Sequence, residues 1–124
     1  HNTIDGVLLL QKNHPEDVIL GSELSCFFPN DNCEVHILVY GFTEAQFKDM
    51  NLLRFDIYSL RSYLIRHHIP YSIAHATYPA NGKLTFKHLE ELLLMFSVFE
   101  SINGCRSKVH NETWTTCNGI IFRE

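Results

Sequence analysis

Short apolar runs alternating with amphipathic stretches predict an α/β fold for this 124-residue chain: a parallel sheet whose strands are joined by crossover helices. Two observations carry that expectation. Strand-like runs fall at 18–21, 35–40, 71–75 and 98–102, and the later ones are separated by segments of helical periodicity. Each of those helical segments also opens with a threonine placed to cap it, Thr43 and Thr85. With 45% hydrophobic and 19% charged residues the chain has material for one core, so a single domain over 1–124 is expected. No internal repeat or low-complexity linker interrupts it.

Taken in order, Asn2 or Thr3 is placed to cap a short helix through Val7, Leu8, Leu9 and Gln11, and Asn13-His14-Pro15 ends it. Val18-Ile19-Leu20-Gly21 reads as a buried strand with Glu23 just beyond its end. The turn residues Pro29-Asn30-Asp31-Asn32 lead to a second strand, Val35 to Tyr40. Its period of two sets Val35, Ile37 and Val39 on one face and His36, Leu38 and Tyr40 on the other. Thr43 with Gln46 forms a capping-box signature. Met50, Leu53, Ile57, Leu60 and Leu64 then follow at helical spacing, which predicts one long helix ending near His67-His68. Pro70 enforces the stop, Tyr71 to His75 reads as a third strand, and Pro79-Ala80-Asn81-Gly82 as a loop. Thr85 caps a helix with Leu89, Leu92, Leu93 and Phe96 inward, and Val98 to Ile102 reads as a fourth strand. From Arg106 to Glu124 the pattern favours neither helix nor strand.

Composition excludes several classes of function. Fourteen acidic against ten scattered basic residues, a net charge of −4, make a poor surface for nucleic acid. The longest apolar stretch, Leu89 to Phe99, is broken by Glu90, Glu91 and Ser97, so no membrane span is expected. Cys26, Cys33, Cys105 and Cys117 show no C-x-x-C pair, and no secretory segment precedes them. They read as free thiols in a cytoplasmic protein. No G-x-S-x-G elbow marks a serine hydrolase, and Cys26 has no paired base nearby in sequence.

What chemistry there is lies at strand ends. Glu23 directly follows an apolar run, where a carboxylate must be paired, hydrated or metal-bound. His36 is set into an aliphatic strand and His75 lies between the small residues Ala74 and Ala76. Taken alone, each histidine is more often a packed or hydrogen-bonded core residue than a ligand. Three metal-compatible side chains on successive strands point together to a metal site, with His1 as a fourth candidate. His14, His67, His68, His88 and His110 read as solvated surface.

The segments that carry these residues are His1-Asn2-Thr3-Ile4-Asp5-Gly6, Gly21-Ser22-Glu23, Val35-His36-Ile37-Leu38-Val39-Tyr40-Gly41, Ala74-His75 and Phe99-Glu100-Ser101-Ile102-Asn103-Gly104. Over about residues 1 to 110 this set resembles the polymerase and histidinol phosphatase (PHP) family of metal-dependent phosphoesterases. The first segment is similar to the back half of the family's Thr-Asp-His-Asn/Asp-Thr-x-x-Gly motif, the second to its Gly-x-Glu motif and the third to its His-Ile-Leu-Gly-Tyr-Gly strand. The fourth resembles the Ala-His-Pro strand end and the last the Glu-x-x-Asn-Gly segment. The stretch after Gly41 and the Asn81-Gly82-Lys83-Leu84 loop look most like PHP domains found beside glycosyltransferases.

The resemblance implies a distorted (β/α)7 TIM-like barrel with up to three divalent ions, Zn, Mn or Fe, at the strand ends. It implies that Glu23 bridges two ions, that His36 and His75 complete one of those sites, and that His1 serves the ion that grips phosphate. The family's opening His-x-His and closing Asp-x-His motifs do not occur here, and Ala76 stands where a proline is usual. The chain is therefore expected to be the middle portion of such a barrel, its open side covered by a second copy or another domain. The activity implied for the intact protein is hydrolysis of a phosphate ester, of a small molecule or nucleotide, by metal-activated water. The alternative is a non-catalytic PHP-like binding or structural module.

Overall fold

The chain between Gly21 and Tyr40 has no room for a crossover. In the computed structural model, which describes residues 1–109, 111 and 112, the order is α1 (Asp5–Asn13), β1 (Gly21–Phe28), β2 (Cys33–Tyr40), α2 (Glu44–Leu53), α3 (Ile57–Arg66), β3 (Tyr71–Ala74) and α4 (Phe86–Met95). Only the turn at 29–32 joins β1 to β2, whereas a parallel connection takes a dozen or more residues, so the two strands pair antiparallel. Gly21 lies opposite Tyr40 and Phe28 opposite Cys33. Asp31 closes the turn by accepting the Cys33 N–H at 2.9 Å, and Asn32 takes a left-handed φ of +56°, which asparagine tolerates. The strand expected at 18–21 thus begins only at Gly21 and continues through Cys26-Phe27-Phe28. Glu23 lies inside it rather than past its end.

The long helix expected from Thr43 to His67 is two helices. Asp56 breaks it: its Oδ1 accepts the N–H groups of Tyr58 and Ser59 at 3.0 and 3.4 Å and caps α3, while Thr43 and Gln46 form the expected capping box on α2. The break decides the sheet. A single helix returns the chain to the edge at which the previous strand began, and a second helix packed against the first carries it back again. Hence β3 runs antiparallel to β2, with His36 opposite Ala74. Only α4 separates β3 from the next extended segment, and there a parallel bridge forms, Ile73 with Phe99. The expected strand at 98–102 reduces to that bridge, held by Ile73 N–H to Val98 O at 3.0 Å and Glu100 N–H to Ile73 O at 2.8 Å. The described residues therefore form a three-stranded antiparallel sheet, order β1-β2-β3, and the parallel sheet and TIM-like (β/α)7 barrel are overturned.

Alternation gives the sheet two unlike faces. Leu24, Cys26, Phe28, Cys33, Val35, Ile37, Val39 and Ile73 are all buried on one face, with Phe47, Met50, Ile57, Leu60, Leu64 and Leu92 from the helices completing the core. Glu23, Ser25, Glu34, His36 and Ala74 share the other face. Burial pushes the Cys33 thiol up to about 11 and the Cys26 thiol higher still, which keeps both in the inert neutral form. Cys105 is a free, exposed thiol, and Cys117 lies outside the described residues. No helix among the described residues is long and apolar enough to cross a membrane.

Two further expectations change. Ile4, not Asn2 or Thr3, is the N-cap of α1, because Asn2 is engaged with β1: its N–H donates to Glu23 O at 2.9 Å and its Oδ1 accepts the Ser25 N–H at 2.8 Å. His88 is buried rather than solvated. Its Nδ1 accepts the Thr85 N–H at 3.0 Å in the capping box of α4, and its Nε2 meets Asp31 Oδ2 at 2.8 Å, tying that helix to the β1–β2 turn. The Cys33 N–H, then the His88 ring, hold the Asp31 carboxyl below its usual range.

Asp56→Ala is expected to cost about 1 kcal/mol of stability, read as a lowered urea midpoint at unchanged slope. For Asp31 the folded carboxyl ionises at lower pH than the unfolded one. Its contribution is present above the unfolded value and is lost as pH falls through the folded one. Asp31→Asn should lower the melting temperature at pH 7 and leave it close to wild type at strongly acid pH.

Candidate functional site

On the polar face, the antiparallel register makes Glu23 and His36 diagonal neighbours, since His36 lies opposite Ser25. Their side chains meet: His36 Nδ1 is 2.9 Å from Glu23 Oε1. His75 comes in from the next strand. Continued as regular strand it would point to the apolar face, opposite to Ala74, but its φ of +29° turns the ring toward Glu23. His75 Nε2 lies 3.2 Å from Glu23 Oε1 and 3.2 Å from His36 Nδ1. Two other bonds hold the strained residue in place, His75 N–H to Glu100 Oε2 and Tyr78 N–H to His75 O, both 2.8 Å.

The fourth residue arrives from the start of the chain. Asn2, at φ +57° and bonded to the β1 edge, aims His1 across the sheet. His1 Nε2 is 3.0 Å from Glu23 Oε2, and its ring packs on His36 with centroids 4.7 Å apart. Glu23 therefore uses both carboxylate oxygens, Oε2 toward His1 and Oε1 toward His36 and His75. All four residues singled out from sequence, His1, Glu23, His36 and His75, come together. One potential ligand atom from each of His1, Glu23 and His36 lies within 4.8 Å of the others.

Sequence reasoning missed two supporting carboxylates. Glu34 Oε1 lies 3.1 Å from His36 Nε2; β2 begins at Cys33, earlier than the strand expected from Val35, and that extension places Glu34 on the His36 face. Glu100, which the sequence offers only within the segment resembling Glu-x-x-Asn-Gly, also accepts the Asn103 side-chain N–H at 3.0 Å through Oε2. Cys26, weighed as a nucleophile, is buried on the opposite face.

Charge is the conspicuous property of the cluster. Among the described residues Glu23 and Glu34 form ion pairs with histidine alone, and neither is paired with a lysine or arginine. When His36 gives its Nε2–H to Glu34, its Nδ1 turns a lone pair toward the Glu23 oxygen. A cation, or a second proton on the ring, relieves that contact. Compared with protein-family models, curated proteins and solved structures, the chain matches none.

The two carboxylates that face His36 make a tautomer prediction. Glu23 stands 2.9 Å from Nδ1 and Glu34 3.1 Å from Nε2, so either nitrogen can carry its proton toward an acceptor. Glu34→Ala removes the Nε2 acceptor, and long-range ¹H–¹⁵N spectra should show the ring shifted toward the Nδ1–H form; an unchanged tautomer ratio would contradict the Glu34 contact.

Proposed function

We propose that this chain carries a divalent-metal site of a phosphoesterase, with His1, Glu23, His36 and His75 as ligands and Glu34 orienting His36. The observation that carries the reading is the convergence of three imidazoles and a carboxylate with no lysine or arginine among the described residues to balance them. The donor set suits Zn, Mn or Fe. Its spacing suits them too: ligand atoms about 2.1 Å from a tetrahedrally coordinated ion stand roughly 3.4 Å apart. The Glu23, His36 and His75 atoms stand 2.9, 3.2 and 3.2 Å apart. A bound ion would supply Lewis-acid polarisation of a phosphoryl oxygen and activation of water.

The chain's own residues would do the rest. Glu23, with an oxygen toward each side of the cluster, is the group able to serve two ions. Glu34 keeps the Nδ1 lone pair of His36 aimed into the site. Glu100 fixes the backbone of His75, so that its ring stays presented despite the unfavourable φ. The motif segments similar to PHP proteins support the same chemistry on a phosphorylated small molecule or nucleotide, although the sheet is not the barrel of that family. The buried, reduced thiols Cys26 and Cys33 support a cytoplasmic setting.

Calorimetry with Mn²⁺ or Zn²⁺ should show saturable binding by the wild type, weakened by about 10- to 100-fold in Glu23→Gln. Hydrolysis of p-nitrophenyl phosphate should require the metal and fall with the same substitution. Equal, metal-independent rates in the two proteins rule out the phosphoesterase. Saturable binding without turnover would leave the chain a non-catalytic metal-binding module.

A further inference from the structure

Next to the cluster is a cleft lined by His75, Tyr78, Glu100, Asn103 and Arg106, among others. The guanidinium carbon of Arg106 sits 3.6 Å from the centroid of the Tyr78 ring, and that ring in turn stands edge-on to His75, centroids 5.6 Å apart. A cation–π contact of this kind holds the planar fork in one orientation. The neighbouring polar groups are already engaged. Glu100 Oε2 accepts from His75 N–H and from the Asn103 side chain, while Asn103 Oδ1 accepts the Cys105 N–H at 2.9 Å. Arg106 differs: its Nε is buried with no hydrogen-bond partner, and no carboxylate among the described residues pairs with it. Arg54 also buries an unpartnered Nε, but its Nη1 donates to the Ser25 carbonyl at 2.9 Å.

Buried donors are almost always satisfied, and a buried guanidinium Nε–H without an acceptor is a costly arrangement. An acceptor atom entering the cleft, whose volume of about 20 Å³ has room for a water-sized group, would satisfy it. The planar fork of arginine matches two oxygens of one oxyanion. We propose that Arg106 anchors a phosphoryl oxygen of the substrate while the ester is presented to the His/Glu cluster beside it. The proposal rests on the phosphoesterase reading and assigns to that site the residue that recognises its anion. Tyr78 is then a positioning residue, supporting the guanidinium from below and sharing an edge with His75.

The test compares wild type, Arg106→Gln and Arg106→Lys in the full chain. With Mn²⁺, Arg106→Gln should raise KM for p-nitrophenyl phosphate about tenfold or more, the scale of a lost charge-assisted hydrogen bond. The kcat should change much less, Mn²⁺ affinity by calorimetry should stay within a factor of two, and lysine should restore part of the loss. Unchanged KM with normal metal binding overturns the assignment. An independent arm needs neither metal nor turnover. Inorganic phosphate titrated into metal-free protein should shift the Arg106 Nε–H resonance, with a smaller response to acetate. No shift, or an equal response to acetate, overturns the proposal even if the wild type binds no metal, an outcome that would itself count only against the metal reading.

Discussion

Much of this molecule follows from one constraint, the antiparallel register between β1 and β2 imposed by a turn of four residues, 29–32. That register sorts the side chains. Leu24, Cys26 and Phe28 meet Ile37, Val35 and Cys33 on the face that the helices cover, and Glu23 and Ser25 share the opposite face with His36 and Glu34. A slip of one residue would move every one of these groups to the wrong face. The cost of burying Glu23 or His36 in the aliphatic core makes such a slip strongly unfavourable. Core and candidate site therefore specify the same pairing.

The site itself is assembled from pieces of low intrinsic stability held by stronger neighbours. His75 occupies a backbone conformation that disfavours a non-glycine residue, and Asn2 a left-handed one. Both are anchored by hydrogen bonds to the sheet or to Glu100. Such positions persist where the surroundings over-determine them. Here the sheet edge, the Ile73–Phe99 bridge and the Glu100 carboxylate do so. A similar tether works at a distance: Asp31, His88, Lys83 and Asn81 join the loop before α4 to the β1–β2 turn. That contact keeps the far end of the hairpin from splaying and so protects the register on which the site depends.

Electrostatics links this arrangement to its proposed chemistry. Two carboxylates and three imidazoles converge without a lysine or arginine in the cluster, while the arginine of the adjoining cleft has no carboxylate of its own among the described residues. Under the proposed function the cluster would take the metal ion, and the buried Nε–H of Arg106 would take an oxygen of the phosphoester.

The residues of the candidate site were legible in the sequence, because Glu23, His36 and His75 each interrupt an apolar segment where a polar group needs a reason. The inward and outward faces of β2 were legible too, since a period of two survives any choice of neighbour. The direction of the strands was not. It depends on where the chain turns back: on Cys26-Phe27-Phe28 extending β1 up to the turn, and on Asp56 splitting a pattern that reads as one continuous amphipathic helix. Periodicity is blind to both, because α2 and α3 keep a common apolar spacing across the break. Only the tertiary structure decided that two helices rather than one lie between β2 and β3. With that it decided an open antiparallel sheet over a barrel, and it alone revealed Glu34, Glu100 and Arg106 as neighbours of the cluster.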